Sequence, residues 1–378
     1  PILPAPANKN ITMIKTLFFL LLFFEWVNPL AQAQVHKECS TPIKPGQELA
    51  VTAAKKARTA QRSVLYTSPY PLKVFIRVFA DDNGSNPAAT EADVLRQFSN
   101  MQNFYAPHNI CFILAGYEVT RNTLLNQMDK DNTDDMDALQ GYVFSSCMNI
   151  FIHKTLRSDE GTLNGTAYAI PNHYLSLVST AVSSTENLST MAHEMGHCFG
   201  LLHTFEDARG EENVTRNAAS SCYDCDADGD LLCDTKADRD VGSDAFNSDC
   251  NYTAGTLRDE CDAVIQFEPA NIMSYGRRAC RDNLTNGQGG RAREFVLDDH
   301  ETRIMENSMV LSGVYNYTVG NINYAARTSI MVNPAVFTAL LSARVNFASR
   351  RTTLQPGVLL QPGAGGYVRI NAAAVYCQ

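Results

Sequence analysis

The chain has 378 residues, 45% hydrophobic and 19% charged, enough for a well-filled core and for two or three domains. A formal net charge of −9, with no dense lysine/arginine run, argues against a nucleic-acid partner or an anionic membrane surface. Eleven cysteines do not fit a reduced cytosolic protein and point to an oxidising compartment.

Met13-Ile14-Lys15 opens a stretch whose apolar part, Leu17 to Phe24, has the length of a signal-peptide core. Ala31-Gln32-Ala33 offers a cleavage site, so residues 1–33 are read as upstream sequence and a signal peptide. Residues 34–63 are polar and carry Lys55-Lys56-Ala57-Arg58 and Arg62. They are read either as a pro-segment with basic processing sites or as a disordered tail. No later apolar run approaches the ~18 residues that a membrane span needs.

The main domain is expected over residues 64–312. Leu72 to Phe79 alternates and is β-branched, the pattern of a strand, and Asp81-Asp82-Asn83-Gly84 is turn chemistry. Val94, Phe98, Met101 and Phe104 recur at helical spacing after Thr90, a suitable cap. Ile110 to Val119 and Met148 to His153 read as further strands, and Tyr168-Ala169-Ile170 and Leu175 to Val178 as extended segments. A helix should follow, capped by Asn187 or Ser189. This is a mixed α/β layout. Residues 204–290 show little periodicity, and six cysteines between Cys222 and Cys280 suggest disulfide staples. Asp299 to Val310 reads as one more helix. Residues 313–378 break into short β-like pieces at Pro-Gly and Gly-rich turns, a small C-terminal β module.

The chemistry sits in Thr190 to His203, which reads H-E-x-x-H-x-x-G-x-x-H. On a helix His193 and His197 lie one turn apart on one face, so both imidazoles can reach one ion. Gly200 allows a sharp turn that returns His203 to the same point. Three nitrogen ligands with an open fourth position are the pattern of a catalytic zinc. Glu194, beside the first ligand, is placed to take a proton from a zinc-activated water.

Together with Asn271-Ile272-Met273-Ser274-Tyr275, this motif resembles the metzincin metallopeptidases, here the pappalysin (cytophagalysin/ulilysin-like) family. His203-Thr204-Phe205, Gly229 to Thr235 and Cys280 also match, and the likeness covers about residues 64–310. It implies zinc on His193, His197 and His203, Glu194 as general base, Met273 as an apolar floor and Tyr275 as oxyanion donor. It implies a fold with a twisted mixed sheet and active-site helix in the upper half. An irregular, disulfide-rich lower half would then carry the methionine turn. Cys39-Ser40-Thr41 resembles the cysteine stretch of some relatives' pro-segments, where a thiolate fills the open zinc position; the alternative is a disulfide, for instance to Cys377. Asp226, Asp228, Asp230 and Asp234 are candidates for a structural calcium, the alternative being a solvated acidic loop. Gly276-Arg277-Arg278-Ala279 carries no carboxylate, so a dominant preference for a basic residue after the scissile bond is not expected. The β module is similar to short repeats appended to some secreted bacterial proteins.

Cys147 and Cys198 pair either with each other or not at all, and Cys222-x-x-Cys225 favours a disulfide over a zinc ribbon. His36, His108, His153, His173 and His300 lack ligand spacing and are read as core or surface residues. The reading is a secreted zinc endopeptidase, made as a zymogen, acting on protein or peptide substrates; nothing in the sequence sets an oligomeric state. The alternative is a secreted binding or adhesion protein on the same scaffold, with a non-catalytic zinc.

Overall fold

The computed structural model describes residues 36–39, 41, 69–318 and 320–371. The stretch read as a signal peptide, most of that read as a pro-segment, and Cys377 lie outside them. Strand β1 (His36–Cys39) is followed by β2 (Tyr70–Ala80), helix α1 (Glu91–Tyr105) and β3 (Ile110–Arg121). The Thr90 side chain caps α1 by accepting from the Asp93 amide. Short helices α2 (Thr123–Asn126) and α3 (Thr133–Gln140) flank β4 (Gln127–Asp129). Strands β5 (Met148–His153), β6 (Thr155–Ser158), β7 (Gly161–Ala167) and β8 (Tyr174–Val178) lead through helix α4 (Ser179–Ser183) to the helix carrying the histidines, α5 (Thr190–Cys198).

In the sheet β3, β2, β5 and β8 run parallel, and β7 is added antiparallel to β8. Every residue of β2 and β5 is buried, because helices cover both faces of the sheet. Val74, Ile76, Ile150 and Ile152 pack on one face against α1 and α5. Phe79 and Phe151 pack on the other, against Leu125 of α2 and Leu139 of α3. The Tyr105 hydroxyl, at the end of α1, donates to the Ala192 carbonyl at 2.8 Å and ties α1 to α5. Tyr168–Ile170, expected to be extended, forms a bend between β7 and β8 instead.

Residues 204–285 hold little regular structure, and three disulfides staple them: Cys222–Cys261, Cys225–Cys233 and Cys250–Cys280. Cys222 and Cys225 thus belong to different bridges. Cys39, Cys147 and Cys198 are buried free thiols, while Cys111 is disulfide-bonded. The helix expected at Asp299–Val310 lies earlier, as α6 (Asn286–Asp298). Its first turns contain Gly287, Gly289 and Gly290, which hide the helical pattern, but a Thr285/Gln288 capping box starts it.

The C-terminal β module is a parallel stack. β9 (Ser308–Tyr317), β11 (Ser329–Ala339), β13 (Arg351–Leu354) and β14 (Leu359–Pro362) form one wall. β10 (Asn321–Ala325), β12 (Arg344–Ala348) and β15 (Tyr367–Asn371) form the other. Ser308, Ser329 and Arg351 share a register, as do Ile322, Val345 and Val368, a repeat of about 22 residues. Leu311, Ile330, Phe337, Val345 and Phe347 fill the space between the walls. β10 pairs antiparallel with β3, so the second wall continues the main sheet. Among the described residues no helix is long and apolar enough to cross a membrane.

Candidate metal centre

All nine residues of α5 are buried. Ser189 holds its N-cap position, but it is Asn187 whose side-chain oxygen accepts from the Thr190 amide at 3.3 Å. The helix ends at Phe199, and Gly200 follows at φ +77°. A Cβ there would stand 2.3 Å from the Phe295 ring of α6, so glycine is required both by the backbone and by the space.

This turn brings three imidazoles to one point. The Nε2 of His197 lies 3.2 Å from that of His193 and 3.1 Å from that of His203. His193 Nδ1 donates to the Ile272 carbonyl at 2.6 Å, and His197 Nδ1 to the Leu201 carbonyl at 2.8 Å. Each of these two bonds fixes a tautomer, leaving a lone pair on the converging Nε2. Burial lowers all three histidines, His197 to about 4, and for His193 and His203 the neighbouring imidazoles add to it. Three neutral nitrogens crowded at hydrogen-bond distance, two of the rings with their outer nitrogen turned to a carbonyl, fit a divalent cation.

Met273 is fully buried below this cluster, and its sulfur would lie 2.6 Å from a Cβ placed on Gly196 of α5. The turn that carries it is braced on both sides. Asn271 accepts from the Met273 amide, and Asp238, buried, accepts from the hydroxyls of Thr204 and Ser274. Asp238 had no signal in the sequence beyond being an aspartate in an irregular stretch.

Glu194 is wholly buried, and burial pushes its carboxyl up to about 8. Its Oε2 accepts from the Cys39 thiol at 3.4 Å and from the Thr41 hydroxyl at 3.3 Å, while Oε1 has no hydrogen-bond partner. Gly165 of β7 leaves room for this carboxylate; a Cβ there would sit 2.6 Å from Oε1. Strand β1 runs parallel to β7, with Cys39 opposite Gly165. That register places the Cys39 sulfur with the three Nε2 atoms, all four within 4.8 Å of one another. Burial, with Glu194 beside it, pushes the Cys39 thiol well above its ordinary value. Tyr275 donates its hydroxyl to the Cys39 carbonyl at 3.2 Å, and its ring lies 5.0 Å from that of His203.

Glu38, not singled out in the sequence, accepts two bonds from Arg278, at 2.9 and 3.2 Å, and faces Arg281 at 3.4 Å. Burial opposes its ionisation, but Arg281 and Arg278 outweigh that and hold its carboxyl below the ordinary value.

The four aspartates do not converge as expected. Asp234 accepts from the Thr285 hydroxyl and the Gly287 amide and so serves the start of α6, while Asp226 is exposed. Asp228 packs beside Gly210. Asp230 is buried, its Oδ1 accepting from Leu232 and Thr235 and its Oδ2 without a partner. Two carboxylates stand near Asp230: Asp234, and Glu212, also buried, whose Oε1 lies 2.7 Å from Arg216. Burial, with Asp230 next, pushes Glu212 up to about 9, and burial pushes Asp230 up to about 7. Among the described residues the histidine–Cys39 group alone brings three or more metal-ligating side chains together.

The family described as Reprolysin_5, metallo-peptidase family M12, matches residues 75–246, which include all three histidines and Glu194. The chain is a metallopeptidase. An extracellular metalloprotease of Pyricularia oryzae is 27% identical to this metallopeptidase over 303 residues, covering 75% of this chain and 95% of its own. One of Podospora anserina is 26% identical over 275 residues, covering 67% and 84%. Among solved structures, a promirolysin mutant of Tannerella forsythia aligns over 71% of this chain and 96% of its own, with TM-score 0.46 and 16% identity. Mature mirolysin in complex with a cleaved peptide aligns over 63% and 99%, with TM-score 0.41 and 19% identity.

Proposed function

We propose that the chain is a secreted, pappalysin-type zinc endopeptidase held latent by its own pro-segment. His193, His197 and His203 are the zinc ligands, and Met273 is the floor beneath them. Zinc at this point supplies a Lewis acid that makes a nucleophile of water at neutral pH. Glu194 takes the proton of the attacking water and returns it to the leaving amine. Tyr275 donates to the substrate carbonyl oxygen as charge develops there.

One observation carries the reading: Cys39 and Thr41 between them occupy every working group at once. The Cys39 sulfur faces the three imidazoles, Thr41 and the thiol engage Glu194, and the Cys39 carbonyl takes the Tyr275 hydroxyl. A thiol that ligates a cation is deprotonated, so zinc would reverse the upward push on Cys39 and make it the fourth ligand of the latent form. Extracellular relatives support secretion.

Calcium is proposed for the 212–230 region, with Asp230 and Glu212 as ligands. Their buried oxygens without hydrogen bonds, Oδ2 of Asp230 and Oε2 of Glu212, support it.

The test is cleavage of casein by the processed protein, with and without a zinc chelator, beside Glu194→Ala. Cleavage is expected in the parent without chelator alone. Equal cleavage by Glu194→Ala would remove the mechanism. Tight zinc binding without any cleavage would favour the binding-protein alternative.

A further inference from the structure

The strand in the cleft carries a second message beside the thiol. Arg281 is buried, its side chain 1% exposed. Its Nε donates to the Gly276 carbonyl at 2.7 Å, while Nη2 makes no hydrogen bond and faces Glu38 at 3.4 Å. Arg278, partly exposed, grips the same carboxylate with two bonds. Glu38 is the carboxylate within ion-pair distance of either guanidinium among the described residues. Arg281 also lies against the Tyr275 ring, 5.9 Å from its centroid, so the pair of arginines borders the reacting groups. Beside them opens a cavity of about 290 Å³, lined by Glu38, Asn187, Ser243, Arg277 and Arg278. Glu186 and Asp244 also line it, but both are exposed, and neither is within ion-pair distance of Arg278 or Arg281.

Processing that removes β1 takes Glu38 away and leaves Arg281, held by its bond to the Gly276 carbonyl, without that counter-charge. An unpaired buried charge is costly, and a site built around one discriminates strongly for the ligand that restores the pair. The fork of Arg278 suits a carboxylate in the same way.

We propose that Arg278 and Arg281 form an acid-selecting subsite of the mature enzyme, which Glu38 fills in the latent form. Preferred substrates then carry glutamate or aspartate in the pocket next to the scissile bond. The subsite is defined by the arginines and not by chain direction, so it applies whichever way a substrate runs relative to β1. This rests on the endopeptidase reading above, and casein cleavage tests that reading separately.

The experiment uses the full chain after processing, with matched peptides that differ only by Glu, Gln or Lys at each position flanking the cleaved bond. At one position kcat/KM for Glu should exceed that for Gln by roughly tenfold or more, with Lys poorest. Arg278→Gln should bring the Glu/Gln ratio towards one, and Arg278→Glu should shift the preference towards Lys. Unfolding midpoints check that both variants are folded. A parent that cleaves casein but shows a Glu/Gln ratio below about fivefold at every position overturns the subsite, as does a ratio that both variants leave unchanged. Glu38 would then be only a latch for the pro-segment. A parent that cleaves neither casein nor peptides fails at the earlier reading.

Discussion

Replacing Gly200 by alanine should be among the most damaging small substitutions in the protein. The residue sits at φ +77°, where a Cβ costs an L-residue about 1–2 kcal/mol. The same Cβ would lie 2.3 Å from two carbons of Phe295, itself 3% exposed and with nowhere to go. Overpacking of this kind costs about 1–3 kcal/mol. The two add to about 2–5 kcal/mol, a large share of the ~5–15 kcal/mol that holds a domain together. Urea unfolding should show that loss, and melting should fall by about 5–15 °C. The turn also carries Leu201, whose carbonyl fixes His197, and sets the path to His203, so zinc affinity by chelator competition should fall as well. Phe295→Leu in the same chain relieves the collision but not the backbone strain, so the two substitutions should be coupled by about 1 kcal/mol or more. A loss below about 1 kcal/mol, or costs that add within ~0.5 kcal/mol in the double variant, would refute the reasoning.

Tyr275→Phe should lower kcat about 10²–10³-fold with little change in KM, as loss of one oxyanion donor does; a rise in KM with kcat unchanged would remove it from that role. Cys39→Ala in the unprocessed chain should raise basal casein cleavage, and a variant as silent as the parent would end the thiol-switch idea. His153 is buried between the Leu125 carbonyl and Ser176, and burial lowers it to about 4. Its stabilising contribution is therefore full above its unfolded value of 6.5 and is lost as pH falls through about 4. Between pH 7 and 4 the parent should lose about 3 kcal/mol more than His153→Asn, and equal losses by urea titration would contradict this. Calcium should raise the melting temperature of the parent and leave Glu212→Gln unmoved; a shift of equal size in both would place the ion elsewhere.

Much of the fold was legible because it is local. β2, β5 and α1 announce themselves by period, and Thr90 marks the start of α1 by its capping chemistry. Less legible was β7, Gly161–Ala167, which has a weak strand composition and exists because β8 offers it an edge. The glycines of α6 displaced its apparent position, and the stacked C-terminal strands hid behind a degenerate repeat that only parallel pairing exposes. Six cysteines allow fifteen pairings, and choosing among them needs coordinates.

The sequence alone determined the three histidines, their glutamate and the glycine between the second and third ligands. Their geometry is a property of one helix turn and one backbone reversal. Tertiary structure decided what faces them. Glu38 and Arg278 are 240 positions apart and meet only because a short strand finds the free edge of β7. Glu212 likewise comes beside the buried Asp230, a neighbour that the spacing of the aspartates does not announce, because packing and not proximity in the chain selects buried partners.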